Sequence, residues 1–168
     1  MKLFPTKNLK AKLTEDCSIA LAELKQNTDI TDSLVSSRTK KAFRGQVSEN
    51  EFKIISSEIG RGAICVLTGK FDGTIGEIEV RIHKAFKVMF SILLSYPFIG
   101  FGSIFFNDGF EKAVESLPIL LIGLLFIRFV FIELSFNFIS RIGLNKLTKI
   151  MRIEKLTKKR GTTSVKRK

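Results

Sequence analysis

The chain is poor in the residues that most catalytic sites rely on. Its 168 residues include one histidine, His83, and two cysteines, Cys17 and Cys65. A lone histidine gives a metal ion or a cysteine nucleophile too few partners, so we read His83 as an interfacial polar residue. The cysteines lack CxxC or metal-ligand spacing and are expected as small packing residues in a reducing compartment, with no disulfide. Phosphate-loop spacing is missing as well. Gly69-Lys70 has no glycine five residues earlier and is followed by Phe71 rather than Ser or Thr, so Gly60, Gly62, Gly69, Gly73 and Gly76 read as turn and strand glycines. The opening segment Met1 to Lys12 alternates Lys with single apolar residues and has no apolar core of about 7 or more, which argues against a secretory signal.

Two long apolar runs are present instead. Val88 to Phe106 is 19 residues without charge, enough at about 1.5 Å per residue to cross a hydrocarbon core of roughly 30 Å. Leu117 to Ile127 is also uncharged, and it reaches a similar length only if Arg128 and Glu133 lie within or at the edge of the bilayer. The pattern predicts a transmembrane hairpin over 86–140, with spans near 86–106 and 117–139. Charge orients it. The net charge is +12, and most of the excess sits in Arg141 to Lys168, where 11 basic residues face only Glu154. The loop Asn107 to Ser116 carries Asp108, Glu111 and Glu115 against Lys112. Basic flanks stay on the cytoplasmic side, so both termini are expected in the cytoplasm and the protein in the inner (plasma) membrane.

Ahead of the hairpin, residues 1–85 have a different period. Thr14 is the expected cap of a helix over Glu15 to Gln26, with Cys17, Ala20, Leu21 and Leu24 as its apolar stripe. Asn27 to Lys41 reads as a loop. From Ala42 to Ala85 apolar and polar residues alternate, which predicts a four-stranded antiparallel meander with turns at Ser48 to Asn50, Gly60 to Gly62 and Asp72-Gly73. The pair Glu77 and Glu79 is read as a solvated strand face. After the hairpin, residues 141–168 are read as a basic amphipathic helix to about Thr157, with apolar residues spaced by threes, and a disordered tail from Lys158.

The pieces Phe43-Arg44-Gly45, Asn50-Glu51-Phe52-Lys53-Ile54 and Arg81-Ile82-His83, placed before an apolar span, resemble a group of small uncharacterised two-transmembrane bacterial membrane proteins. The resemblance covers about Thr14 to Leu156. It implies an amino-terminal helix, a short meander and two spans, and it carries no activity.

The expectation is therefore an α+β membrane protein, non-enzymatic and without cofactor, acting as a membrane-anchored binding or scaffold module. The alternative is an oligomeric transporter or permeability component using Arg128 and Glu133. Those two residues, with Tyr96 at matching depth on the first span, form the candidate intramembrane polar site. Five residues apart on an α-helix, Arg128 and Glu133 lie about 140° apart and should not pair. Arg141, Lys146, Lys149 and Arg152 are candidate contacts to acidic lipid headgroups. Partners are the bilayer, with a protein partner or a homo-oligomer. Nucleic acid is not expected, because the basic tail sits where membrane topology already requires it and no aromatic residue follows Phe138 to stack a base.

Overall fold

The computed structural model describes residues 4–35, 39–57 and 64–158. Strand β1 (Thr6–Leu13) leads into helix α1 (Cys17–Gln26), followed by β2 (Thr28–Ile30), β3 (Phe43–Val47), β4 (Glu51–Ser56), β5 (Cys65–Asp72) and β6 (Ile75–Ile82). Helix α2 (Lys84–Asp108) starts one residue later. A second long helix then runs unbroken from Phe110 to Ile150. Its parts are α3 (Phe110–Phe126), a π-helical segment (Ile127–Leu134) and α4 (Ser135–Ile150), and β7 (Ile153–Lys158) closes the described chain.

The strands form one seven-stranded mixed sheet in the order β2-β3-β4-β5-β6-β1-β7. Only β2 and β3 run parallel. This corrects the four-stranded meander: β3 to β6 are its strands, and three more come from segments read otherwise. The opening segment is a strand because its Lys and apolar residues alternate with period two. Ala11 and Leu13 point into the core while Lys10 and Lys12 stay in solvent. β2 lies inside the stretch read as a loop. β7 replaces the end of the predicted basic helix. That helix stops at Ile150, and the spacing by threes continues across the break only by coincidence of Ile153 and Leu156. The tail beyond Lys158, and the turn at Gly60 to Gly62, lie outside the described residues.

Both ends of the chain thus build the same sheet. β1 is held between β6 and β7, with Lys10 opposite Glu77 on one side and Lys12 opposite Lys155 on the other. At the β1–β7 corner, Met151 caps the end of α4 and the backbone reverses through Arg152 at φ 48°. A left-handed non-glycine costs roughly 1–2 kcal/mol, so the corner must over-determine it. It does so from two directions. The Arg152 carbonyl accepts from the Thr14 amide at 3.2 Å and the Thr14 hydroxyl at 2.7 Å. Its guanidinium donates to Glu15 at 2.6 Å and to Glu23 at 2.9 Å. Thr14 is therefore a corner residue and not the helix cap. Asp16 caps α1, accepting from the Ser18 amide and hydroxyl, and those bonds hold its carboxyl below the ordinary range.

One face of the sheet is covered by α1 and α4. α1 buries Cys17, Ala20, Leu21 and Leu24, the stripe its spacing predicts, and α4 buries Phe136, Ser140, Gly143 and Leu147. Between them lie Leu13, Phe43, Phe52, Ile54, Leu67, Ile78 and Val80, all nearly free of solvent. Gly69 makes room for an aromatic ring. A Cβ there would sit 2.4 Å from Phe52, its cross-strand partner, so the ring lies flat over bare backbone.

The two long helices leave the sheet together. α2 has 25 residues and the second helix 41, and in each the most apolar stretch is only 6% buried within the chain. Both are long and apolar enough to cross a membrane. Their connection is a single residue, Gly109, at φ 90°, and the acidic segment read as a loop is otherwise helical. At 41 residues the second helix is roughly 60 Å long, about twice a hydrocarbon core. Its carboxyl-terminal part, α4, is what packs on the sheet.

The Arg152 corner can be measured in detergent by thermal unfolding. Arg152→Ala loses both ion pairs and keeps the backbone strain, so its midpoint should fall most. Arg152→Gly takes the same φ without cost and should fall between Arg152→Ala and the wild-type protein.

Candidate functional site

The π-helical segment decides how the two charges of the second apolar helix meet. An i→i+5 hydrogen-bonding pattern stacks residues five apart one turn above each other, where an α-helix would splay them. Arg128 Nη1 donates to Glu133 Oε2 at 3.1 Å. The expectation that they lie apart assumed α-helical geometry and is corrected by the wider turn. The Arg128 side chain is 16% exposed and its guanidinium lies 5.6 Å from the Phe129 ring centroid. Its counter-charge comes from its own helix. Tyr96, the depth-matched residue on α2, is 73% exposed. The hydroxyls of Ser91 and Ser95 donate to carbonyls of α2 itself.

Glu133 also lines a groove of about 470 Å³ where the π segment and α4 pass the β1–β7 edge. Its walls are apolar, with Leu9, Phe136 and Leu156, and its rim carries Lys7, Arg141 and Lys158. Lys7 comes from β1, where an inward-facing lysine interrupts the apolar row. Its ammonium donates to Ser140 at 2.7 Å and lies 5.3 Å from the centre of the Phe136 ring. Burial pushes Lys7 below the ordinary lysine value, and the cations Arg141 and Lys158 act in the same direction. Only the Cys65 thiolate would oppose them, and burial pushes that thiol up to about 12. A groove with apolar walls and a cationic rim suits an amphiphile with an acidic head.

The four predicted headgroup residues separate. Arg141 is exposed at the groove, Lys149 is exposed in the last turn of α4, and Lys146 is half-buried on the same helix. Arg152 faces Glu15 and Glu23, so its charge is engaged within the fold. On the opposite, open face of the sheet, Glu77 stands across from Lys10 and Lys70, and Glu79 from Asn8 and Thr68. Among the described residues no three His, Cys, Asp or Glu side chains are grouped to hold a metal ion. Sequence reasoning missed Lys7 and Ser140. The period-two alternation around Lys7 was the signal for the first, while nothing in the sequence marks Ser140, which becomes fully buried only when α4 meets β1.

No protein-family model matches the chain, and neither a curated protein nor a solved structure matches it.

Two measurements follow from this geometry. Raising the Cys65 thiol from 9.0 to about 12 lowers its thiolate fraction near pH 8 by about 1000-fold. Alkylation of Cys65 in the folded protein should be slower than that of a free thiol by at least about tenfold, because the greater nucleophilicity of a more basic thiolate offsets part of that loss. The sign for stability agrees: the buried neutral thiol contributes fully below its ordinary value, and the contribution is lost as pH rises towards about 12. For the ion pair, Arg128→Leu or Glu133→Leu alone strands a charge and should lower the thermal midpoint, whereas the double variant should recover most of the loss.

Proposed function

We propose that this chain is a non-enzymatic, multi-pass protein of the plasma membrane that holds a partner or ligand at the bilayer surface on a rigidly mounted sheet. The observation that carries the proposal is the 41-residue helix, whose amino-terminal part is apolar and uncovered by protein while α4 is packed into the sheet's core. A helix shared by lipid and a soluble core leaves the sheet no freedom to swing. The single-residue link at His83 supports the same reading from the other span. The groove beside Lys7 offers a ligand-sized recess at that surface.

Topology belongs to the proposal. β1 and β7 pair side by side, so two crossings between them return the chain to the side it left. The basic flanks favour the cytoplasm as that side. The likeness to small two-transmembrane bacterial proteins supports the architecture and adds no activity.

A second reading is favoured by one observation. A π-helical turn holding an ion pair inside an apolar span is the kind of irregularity found at functional positions, which suits an oligomeric permeability component. Two spans cannot enclose a pore alone, so that reading requires several copies.

Both readings meet in one experiment on the full chain. With an impermeant maleimide on spheroplasts, Asn107→Cys should label and Lys155→Cys should stay unlabelled until the membrane is opened. Reversed labelling would overturn the topology. Crosslinking of the same membranes should yield mainly monomer for the anchored module. A ladder of closed oligomers that disappears in Arg128→Leu would favour the permeability reading instead.

A further inference from the structure

The open face of the sheet ends, where α2 begins, in a cavity of about 200 Å³. Its lining is markedly one-sided in charge. Lys53 comes from β4, Arg81 from β6, and His83, Lys84 and Lys87 from the link and first turn of α2, over an apolar floor that includes Val66. Among the described residues no acidic side chain lines it, and no carboxylate lies within ion-pair distance of Lys53, Arg81, Lys84 or Lys87. The Lys87 ammonium lies 5.9 Å from the Phe4 ring centroid, whereas Lys53, Arg81 and Lys84 bring three cations to one concavity, where they repel one another unless an anion joins them.

Two features make this more than a basic patch. The register places Arg81 directly opposite Val66, and the strand then continues into a fixed corner: the His83 amide donates to the Ile64 carbonyl at 2.9 Å. His83 Nδ1 accepts from the Ala85 amide at 3.2 Å, so the neutral ring carries its proton on Nε2 and remains a donor. Burial first, then the charges of Lys53 and Lys84, hold His83 below the ordinary imidazole value. The second feature is what lies below. Lys84, Val88, Ile92 and Tyr96 recur every four residues along one face of α2, and the three that follow Lys84 are exposed. A headgroup seated at Lys84 has an apolar track beneath it for its acyl chains.

We propose that this cavity binds the phosphate of an acidic phospholipid, with Lys53, Arg81, Lys84 and Lys87 as counter-charges, the His83 ring as a hydrogen-bond donor and the Val88–Ile92–Tyr96 face as the acyl track. The proposal rests on the membrane reading above and supplies its ligand class. The binding site lies on the face of the sheet opposite α1 and α4, so it is distinct from the groove at Lys7.

His83 is the only histidine in the sequence, so an untagged full-length chain carries one imidazole reporter. The experiment places that chain, labelled at histidine, in nanodiscs of phosphatidylcholine with increasing phosphatidylglycerol, and in pure phosphatidylcholine discs with added inorganic phosphate. The expected result is a saturable shift of the imidazole resonance with phosphatidylglycerol. The concentration for half-effect should rise at least tenfold in Lys53→Gln/Arg81→Gln, whose thermal midpoint should match the wild-type protein. A response to inorganic phosphate alone would overturn the lipid as source and assign the site to a soluble phosphate ligand. An equal response in wild type and variant would overturn the site, since surface potential alone would explain it. Failure of the chain to enter nanodiscs would overturn the membrane reading, whereas entry without any His83 response would overturn only this inference.

Discussion

Pairing of the first strand with the last is the constraint on which the rest of this structure depends. β1 and β7 lie side by side in one sheet, yet the whole helical hairpin separates them in the chain. The sheet is complete only where the chain has passed through both long helices and come back to it. That requirement accounts for a helix of 41 residues, far longer than one crossing needs: its end must reach the sheet as a rigid strut. It also accounts for the strained residue at Arg152, where the returning helix turns within two residues into an edge strand. The ion pairs to Glu15 and Glu23 and the bonds from Thr14 tie that turn to the β1–α1 corner, so the chain's two ends stabilise each other. The edge pair of Lys12 and Glu154, at 2.7 Å with both partners more than half exposed, adds little beside them.

Within the second helix the local rule changes where the charge problem is greatest. An arginine in an apolar span is costly, and insertion scales put it at about 2.5–3.5 kcal/mol near the centre. The π-helical turn presents Glu133 to Arg128 along the same helix, an arrangement that offsets such a cost wherever the helix is embedded in lipid. Glu133 also faces the groove at β1, so the pair marks the level at which the helix passes from an apolar environment to the sheet. Basic residues dominate on both sides of the sheet at that level, Lys7 and Arg141 on one and Lys53, Arg81 and Lys84 on the other.

Much of this was legible in the sequence wherever one local period ran uninterrupted. The stripe on α1, the alternation from Phe43 to Ile82 and the two apolar spans each follow from a single periodicity. The missing parts are those where long-range pairing decides. The opening residues already alternate Asn8, Lys10 and Lys12 with Leu9, Ala11 and Leu13, but an isolated strand has no stability, and its partners lie some seventy and a hundred and forty positions away in the register. β7 was hidden because Leu147, Ile150, Ile153 and Leu156 continue one apparent spacing across a helix end and a bulge at Lys12 and Leu13. The Arg128–Glu133 pair was missed for a different reason: an α-helical wheel is the wrong ruler for a π-helical turn. The cationic cavity beside His83 draws on β4, β6 and α2, and only the register brings those residues together.

The most direct measurement of the central claim is a crosslink between the two ends of the chain. Lys12 and Lys155 are exposed register partners, one in β1 and the other in the edge strand β7. With cysteine at both positions, mild oxidation of membranes should produce an intramolecular disulfide, seen as a faster-migrating monomer that reverts on reduction. A chain that stays open under the same oxidant, or that links only to a second copy, would contradict a sheet closed by its own first and last strands.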